Sequence, residues 1–80
     1  LYMKEVEFLQ FVIENLVENK GEIQIERTED ELGVLLTLKV NKDDMGVVIG
    51  KGGNVVTSIR SLLKIVGNKV GKRVNLKVLD

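Results

Sequence analysis

Two residue types that build many reactive sites are missing from this chain of 80 residues. It contains no cysteine, which excludes disulfide bonds and thiolate metal sites. It also contains no histidine, the commonest metal ligand and the commonest general base near neutral pH. We therefore expect no metal, no cofactor and no small-molecule substrate, and a core that stabilises the fold alone or with a second subunit.

Long apolar runs are also absent. No run approaches the roughly 18 residues that span a bilayer, and the N-terminus lacks a secretory signal pattern, so we expect a cytoplasmic protein without a membrane segment. A hydrophobic fraction of 44% in a chain of this length predicts one small domain with a packed interior. Met3 resembles a native start, so we expect Leu1 and Tyr2 to be additions and the domain to span residues 3–79.

Positive and negative charges are segregated along the chain, although the net charge is zero. Residues 1–33 carry three basic and nine acidic side chains, whereas residues 34–80 carry nine basic and three acidic ones. The balance is therefore −6 in the first part and +6 in the second. This predicts one face that attracts polyanions and another that repels them, unless the imbalance is a chance feature of two solvated faces.

The chain opens with an amphipathic pattern. Apolar residues recur at three- and four-residue steps over residues 3–17, which predicts a helix that ends before Gly21. Phe8, Phe11 and Val12 widen its apolar face beyond what a small sheet needs to cover. This surplus belongs either to the core, the interpretation that we favour, or to a dimer contact.

Two strands are predicted next. Residues 22–26 alternate between polar and apolar, and residues 28–33 form a polar loop that ends in glycine. Residues 34–40 form the second strand, antiparallel to the first because the loop is short. Alternate side chains of the second strand point to opposite faces of the sheet: Val34, Leu36, Leu38 and Val40 to one, and Leu35, Thr37 and Lys39 to the other.

The second half of the chain predicts two helices and a last strand. Turn residues 41–44 precede a short helix at Met45–Ile49, and a glycine-rich loop follows. Asn54 is the predicted N-cap of a longer helix that ends at Gly67 or Gly71, and residues 74–79 alternate as a strand. The predicted order α-β-β-α-α-β describes an α+β fold, a three-stranded sheet with three helices on one face.

The loop Gly50-Lys51-Gly52-Gly53 is the most informative motif. A Walker-type loop needs four residues between its first glycine and Gly-Lys-Ser/Thr, but only three separate Gly46 from Gly50, and Gly52 replaces the hydroxyl residue. A dinucleotide fingerprint needs a third glycine where Val55 stands. A Gly-x-x-Gly loop between two helices fits, because its backbone N–H groups can face a sugar-phosphate chain at a helix N-terminus.

The surroundings of this loop resemble a known domain. Residues 48–60, VIGKGGNVVTSIR, resemble the KH signature: an apolar pair, Gly-basic-x-Gly, then apolar positions three and six residues on. The element order is that of a type II KH domain. Chain length, the opening MKEVEF and the closing GKRVNLKV resemble the small bacterial KhpA family over about residues 3–79. The resemblance implies a protein that binds single-stranded RNA, as an RNA chaperone or post-transcriptional regulator.

The resemblance also implies which residues form the site. Gly50, Lys51, Gly52 and Gly53 would be the backbone clamp. Apolar side chains would wall the groove for the bases, with a basic residue beside it and the middle of the second strand, residues 37–39, as the far wall. These contacts are implied for Ile49, Val56, Ile59, Arg60 and Lys39, although Ile59 is better explained as a core residue and Val56 fits both roles.

Two departures from the family pattern weaken electrostatic capture. Asn54 stands where a basic residue is usual, and Thr57 stands where a basic or small residue is common. No aromatic residue lies between positions 34 and 80, which excludes base stacking on an aromatic platform in the basic half.

A second function remains open from the sequence. The KH fold could serve as a protein-interaction module, forming a homodimer or a heterodimer with a larger KH-containing protein, with RNA contact secondary. Phe8, Phe11 and the zero net charge favour this alternative, whereas the positive second half favours RNA. An enzyme is not expected, because Ser58, a hydroxyl residue close to the loop, has no histidine to activate it.

Overall fold

The computed structural model describes residues 4–80 and contains three helices and three strands in the predicted order. Short 3-10 turns precede β1 and α2 and form the loop after α2. The elements are α1 (Lys4–Glu14), β1 (Gln24–Asp30), β2 (Gly33–Lys39), α2 (Met45–Ile49), α3 (Asn54–Lys69) and β3 (Val74–Val78). The predicted α+β architecture is confirmed; Met3, the predicted first residue of α1, lies outside the described residues.

The three strands form a mixed sheet in the order β1-β2-β3. Strand β1 runs antiparallel to β2, with Gln24 opposite Lys39 and Asp30 opposite Gly33. Strand β3 runs parallel to β2, because α3 returns the chain to the same end of the sheet before β3 begins. The central position of β2 leaves one free edge on β1 and one on β3.

Strand β1 extends into the segment predicted to be a loop. Residues 28–30 pair with residues 33–35 of β2, which reduces the connection to two residues. The Asp30 carboxylate accepts hydrogen bonds from the backbone N–H groups of Leu32 at 2.8 Å and Gly33 at 3.2 Å, which closes the tight turn. The prediction of a loop over residues 28–33 was therefore wrong for its first half, since polar side chains are compatible with an exposed edge strand.

The core lies between the helices and one face of the sheet. Leu9 and Ile13 of α1, Leu36 and Leu38 of β2, and Leu63 of α3 are completely buried there. The other face of the sheet, which we call the open face, exposes alternate residues of β2, among them Leu35 and Lys39. The prediction of three helices on one face is confirmed.

The apolar surplus of α1 divides between the core and the surface. Phe8 and Val12 pack against the core, whereas Phe11 keeps 65% of its surface exposed. Helix α3 also exposes large apolar side chains, Leu62 and Ile65. Among residues 4–80, every helix is too short or too polar to cross a membrane.

Candidate nucleic-acid interface

The loop between α2 and α3 begins at a glycine that no other residue can replace without strain. Gly50 has φ 79° and ψ 173°, a region of backbone conformation that is essentially restricted to glycine. A side chain at this position would also collide with Val55 and Asn54. Gly50 therefore lets the chain leave α2 and turn at once into α3.

The next residues present backbone donors to solvent. Lys51 and Gly52 are exposed, and no hydrogen bond within residues 4–80 uses their N–H groups. Gly53 donates to the carbonyl of Gly50 at 3.1 Å, which keeps the loop tight. Free N–H groups, the lysine charge and the N-terminus of the 16-residue α3 together favour an anion at this point.

The start of α3 differs from the prediction. Gly53, with φ 80° and ψ 12°, occupies the N-cap position, and Asn54 is already helical with φ −69° and ψ −31°. No side-chain hydrogen bond caps this helix within the described residues. The predicted N-cap role of Asn54 was therefore wrong, because the left-handed Gly53 completes the turn one residue earlier.

The apolar residues around the loop lie at different depths. Val56 and Ile59 belong to the core, with 5% and 3% of their surfaces exposed. Ile49, at the end of α2, is half-buried against the core and keeps part of its surface accessible beside the loop. Of the three predicted groove residues, the structure leaves only Ile49 substantially open to a ligand.

The structure does not bring Lys39 to the loop. Leu38 and Val40, its neighbours in the chain, are buried against the helices, so the alternation of a strand directs Lys39 to the open face. The helices cover the opposite face, and the loop Gly50–Gly53 leads from α2 into α3. The far wall expected at residues 37–39 is therefore not beside the loop. The reason is the alternation of side chains along β2, which is already visible in the sequence.

The free edge of β3 is the strand edge nearest to α3. Val34 N–H donates to the carbonyl of Arg73 at 2.7 Å, and Leu79 N–H donates to the carbonyl of Leu38 at 2.9 Å. In a parallel pair, alternate residues of a strand direct their backbone groups to the same neighbour. Because residues 73 and 79 bond β2, the odd-numbered residues of β3 between them do so as well. The backbone groups directed to the free edge are those of Val74, Leu76 and Val78.

Arg60 is fixed over this free edge. Its Nε donates to the carbonyl of Leu76 at 3.2 Å, which joins the middle of α3 to the middle of β3. The guanidinium Nη groups have no protein acceptor within residues 4–80. Arg60 therefore presents a positive charge between α3 and β3, consistent with the flanking position that the resemblance implies.

A cleft follows the same edge toward the end of α3. It has a volume of about 630 Å³, and we call it the α3–β3 cleft. Three of its side chains are cationic and were not predicted as site residues, although Lys64 lies one helical turn after Arg60. The cleft is lined by Lys64, Asn68, Gly71, Lys72, Arg73, Val74 and Asn75.

A chain of ion pairs connects the cleft to α1. Lys72 Nζ lies 2.9 Å from Glu29 Oε2, and Arg27 Nη2 lies 2.9 Å from Glu29 Oε1. Arg27 Nε donates to the buried Glu5 at 2.6 Å. Burial acts to raise the pKa of Glu5, but the hydrogen bond and charge of Arg27, together with a backbone hydrogen bond and the charge of Lys72, outweigh it and lower the pKa. Hydrogen bonds from Lys72 and Arg27 lower the pKa of Glu29.

Asp44 fixes the start of α2. Its side chain accepts hydrogen bonds from the backbone N–H of Glu18 at 3.0 Å and from both the backbone and side-chain N–H groups of Asn19 at 3.1 Å. The hydrogen bond from Glu18 is the main cause that lowers the pKa of Asp44. Because α2 leads directly into the loop, Asp44 also positions the loop relative to the segment between α1 and β1.

Comparison with known proteins identifies the family. The family model described as the KH domain of KhpA/KhpB matches residues 6–78. The RNA-binding protein KhpA of Borreliella burgdorferi is 34% identical to this chain, covering 99% of the chain and 96% of that protein. The proteins of the same name from Aquifex aeolicus and Chlamydia pneumoniae are 34% and 35% identical, each covering 92% of the chain and 94% and 95% of their own lengths. The family consists of KH domains and is not an enzyme family, and this chain belongs to it.

Proposed function

We propose that this protein binds single-stranded RNA between the α2–α3 loop, α3 and the free edge of β3, as a cytoplasmic RNA chaperone or post-transcriptional regulator. One observation carries the proposal: the free N–H groups of Lys51 and Gly52 lie just before α3, and the guanidinium of Arg60 and the cationic α3–β3 cleft follow along that helix. The relatives named as RNA-binding proteins support the choice of ligand.

The loop would hold the sugar-phosphate chain. A GxxG loop contacts about four nucleotides, and contacts to phosphate fix the position of the RNA without reading its sequence. The N–H groups of Lys51 and Gly52 would donate to phosphate oxygens, and the Lys51 ammonium would add a charge. Arg60, two helical turns further along α3, would take a following phosphate.

The bases would face β3. At the free edge Val74 and Leu76 are buried, but Val78 keeps part of its surface accessible, and its backbone groups can exchange hydrogen bonds with the Watson–Crick edges of unpaired bases. Ile49 would supply an apolar contact beside the loop. Because such hydrogen bonds require unpaired bases, duplex RNA should bind more weakly than a single strand of the same sequence.

A double substitution in the loop tests this proposal. Lys51→Asp combined with Gly52→Asp places two carboxylates at the phosphate position, and the space around Gly52 is open enough for a side chain. Aspartate also tolerates the left-handed conformation of Gly52 better than most residues. We expect the affinity for a short single-stranded RNA, measured by fluorescence anisotropy, to fall at least tenfold, or about 1.4 kcal/mol.

The chain offers a control with the same residue types. Lys20 and Gly21 lie exposed in the turn before β1, so Lys20→Asp with Gly21→Asp makes the same change in net charge away from α3 and β3. This control should bind RNA within about twofold of the unsubstituted protein, since distant surface charges are largely screened by salt. Equal losses in the two folded variants would show that net charge, and not the loop, determines binding.

Self-association is a second candidate function. The packed helices α1 and α3 expose Phe11 at 65%, Ile65 at 59% and Leu62 at 45%, large apolar side chains that a second copy could cover through a twofold interface. Sedimentation equilibrium should then report a dimer that Ile65→Lys dissociates. A monomer at all concentrations would exclude the homodimer and leave pairing with a larger KH-containing protein to be tested.

A further inference from the structure

Lys72 stands between two surfaces of opposite charge. It lines the α3–β3 cleft together with Lys64 and Arg73, and it also lines the depression beside the β1–β2 turn, which contains Glu29. Its ammonium group is 2.9 Å from the carboxylate of Glu29. The cation that would extend the RNA surface is therefore already paired with a carboxylate.

This ion pair is accessible and reversible. The side chains of Lys72 and Glu29 are 38% and 39% exposed, and exposed pairs of this kind contribute little free energy. Lysine is a compact charge on a flexible stem, so Lys72 can exchange a carboxylate for a phosphate without movement of the backbone. A phosphate in the cleft would thus meet a competitor for Lys72.

Glu29, in contrast, is held in place. Arg27 donates from Nη2 to Glu29 and from Nε to Glu5, and Glu5 has only 4% of its side chain exposed. This arrangement keeps the Glu29 carboxylate facing Lys72 whether or not Lys72 remains paired. When Lys72 leaves, Arg27 still satisfies Glu29, so the release costs little.

We propose that Glu29 competes with RNA phosphate for Lys72 and thereby lowers the affinity of the α3–β3 cleft for RNA. The inference rests on the proposed RNA function and assigns to it a residue from the acidic half of the chain. The segregation of charge would then affect function, because a carboxylate of the β1–β2 hairpin limits how strongly the cations beside β3 bind RNA.

The test compares Glu29→Gln with Glu26→Gln. Both substitutions remove one negative charge from β1, but Glu26 lies opposite Thr37 on the open face, away from Lys72. Glutamine at position 29 retains an oxygen for the Arg27 hydrogen bond. The probe is a labelled single-stranded RNA of about eight nucleotides, twice the length that a GxxG loop contacts. Each substitution is measured alone and with Lys72→Met.

We expect Glu29→Gln to bind the RNA about two- to fivefold more tightly than Glu26→Gln, the range that an exposed ion pair contributes. In the Lys72→Met background the two substitutions should bind equally, because the contested cation is gone. Equal affinities with Lys72 present, or a difference that persists without it, would overturn the inference.

These outcomes are separable from the failure of the proposed function. If the loop variant Lys51→Asp/Gly52→Asp loses binding while Glu29→Gln and Glu26→Gln bind equally, the RNA site stands and the competition by Glu29 is refuted. If the unsubstituted protein binds no RNA, or the loop variant binds as well as the Lys20→Asp/Gly21→Asp control, the proposed function fails and the inference fails with it.

Discussion

Ile59 and Ile65 occupy the same helix in opposite environments. Ile59 is 3% exposed in the core, whereas Ile65 is 59% exposed on the surface of α3. Ile59→Ala should lower the free energy of unfolding by about 2–4 kcal/mol, through lost burial and the cavity left behind. Ile65→Ala should change it by less than about 0.5 kcal/mol. Urea denaturation of the two variants checks this contrast. Similar losses of unfolding free energy in both variants would contradict the burial of Ile59 and the exposure of Ile65.

Asp44 predicts a pH dependence of stability. Its pKa is lower in the folded chain than in the unfolded one, so the ionised side chain stabilises the fold above the unfolded pKa of about 3.9. That contribution is lost as the pH falls through the folded-state pKa. Asp44→Asn should therefore lower the melting temperature at neutral pH by several degrees. In acid, the difference in melting temperature between this variant and the unsubstituted protein should become smaller.

The neighbouring Asp43 provides the control for this measurement. Asp43 is exposed, so Asp43→Asn should leave both the melting temperature and its acid dependence nearly unchanged. Some acid sensitivity will remain in Asp44→Asn, because Glu5 and Glu29 also have lowered pKa values. Identical melting curves for Asp44→Asn and Asp43→Asn would contradict the role given to Asp44.

Individual residues show where sequence analysis succeeds and where it fails. The glycines of residues 50–53 located the loop because they lie between two predicted helices, within the element order of a KH domain. The direction of Lys39 followed from the alternation of β2, and it argues against the far wall that the family resemblance implies at residues 37–39. The contacts of Asp44 with residues 18 and 19, and of Lys72 with Glu29, join distant parts of the chain and have no local sequence signal.

Among the elements, α2 and the loop after it depend on the backbone conformation of one glycine. Gly50→Ala would impose a side chain on a backbone conformation restricted to glycine and press it against Val55. We expect a loss of roughly 1–3 kcal/mol in the free energy of unfolding, and weaker RNA binding because the loop must shift.

The matched substitution lies four residues earlier. Gly46 is inside α2, and an added Cβ would meet no atom within 4 Å. Gly46→Ala should therefore stabilise the protein by up to about 1 kcal/mol, since alanine is the better helix former. Denaturation of both variants should give shifts of opposite sign, and shifts of the same sign would contradict the geometry of the α2–α3 turn.

The order and type of the elements followed from apolar periodicity, but their ends did not. Strand β1 continues to Asp30 because pairing with β2 supplies backbone hydrogen bonds that a polar composition does not reveal. Helix α3 starts after Gly53 because that residue adopts a left-handed conformation, which a sequence pattern cannot distinguish from capping by Asn54. These boundaries therefore depend on strand pairing in β1 and on backbone conformation in α3, whereas the apolar periodicity reflects burial.

Across the whole molecule, the sheet order separates the charges of the chain. The acidic strand β1 forms one edge, and the basic segment around β3 forms the other, with β2 between them. Phosphate should therefore approach from the β3 side, where Lys64, Arg73 and Arg60 lie. The ion pair between Lys72 and Glu29 is the point at which the two charged parts meet.

The central claim is that single-stranded RNA occupies the loop and the free edge of β3, and the most direct test is an NMR titration of isotope-labelled protein with such an RNA. The largest chemical-shift changes should occur at the backbone amides of residues 50–54 and of Val78, and at the Arg60 Nε–H. The amides of Thr37 and Lys39, whose side chains lie on the open face, should change little. Changes concentrated on the open face, with the loop unaffected, would contradict the account.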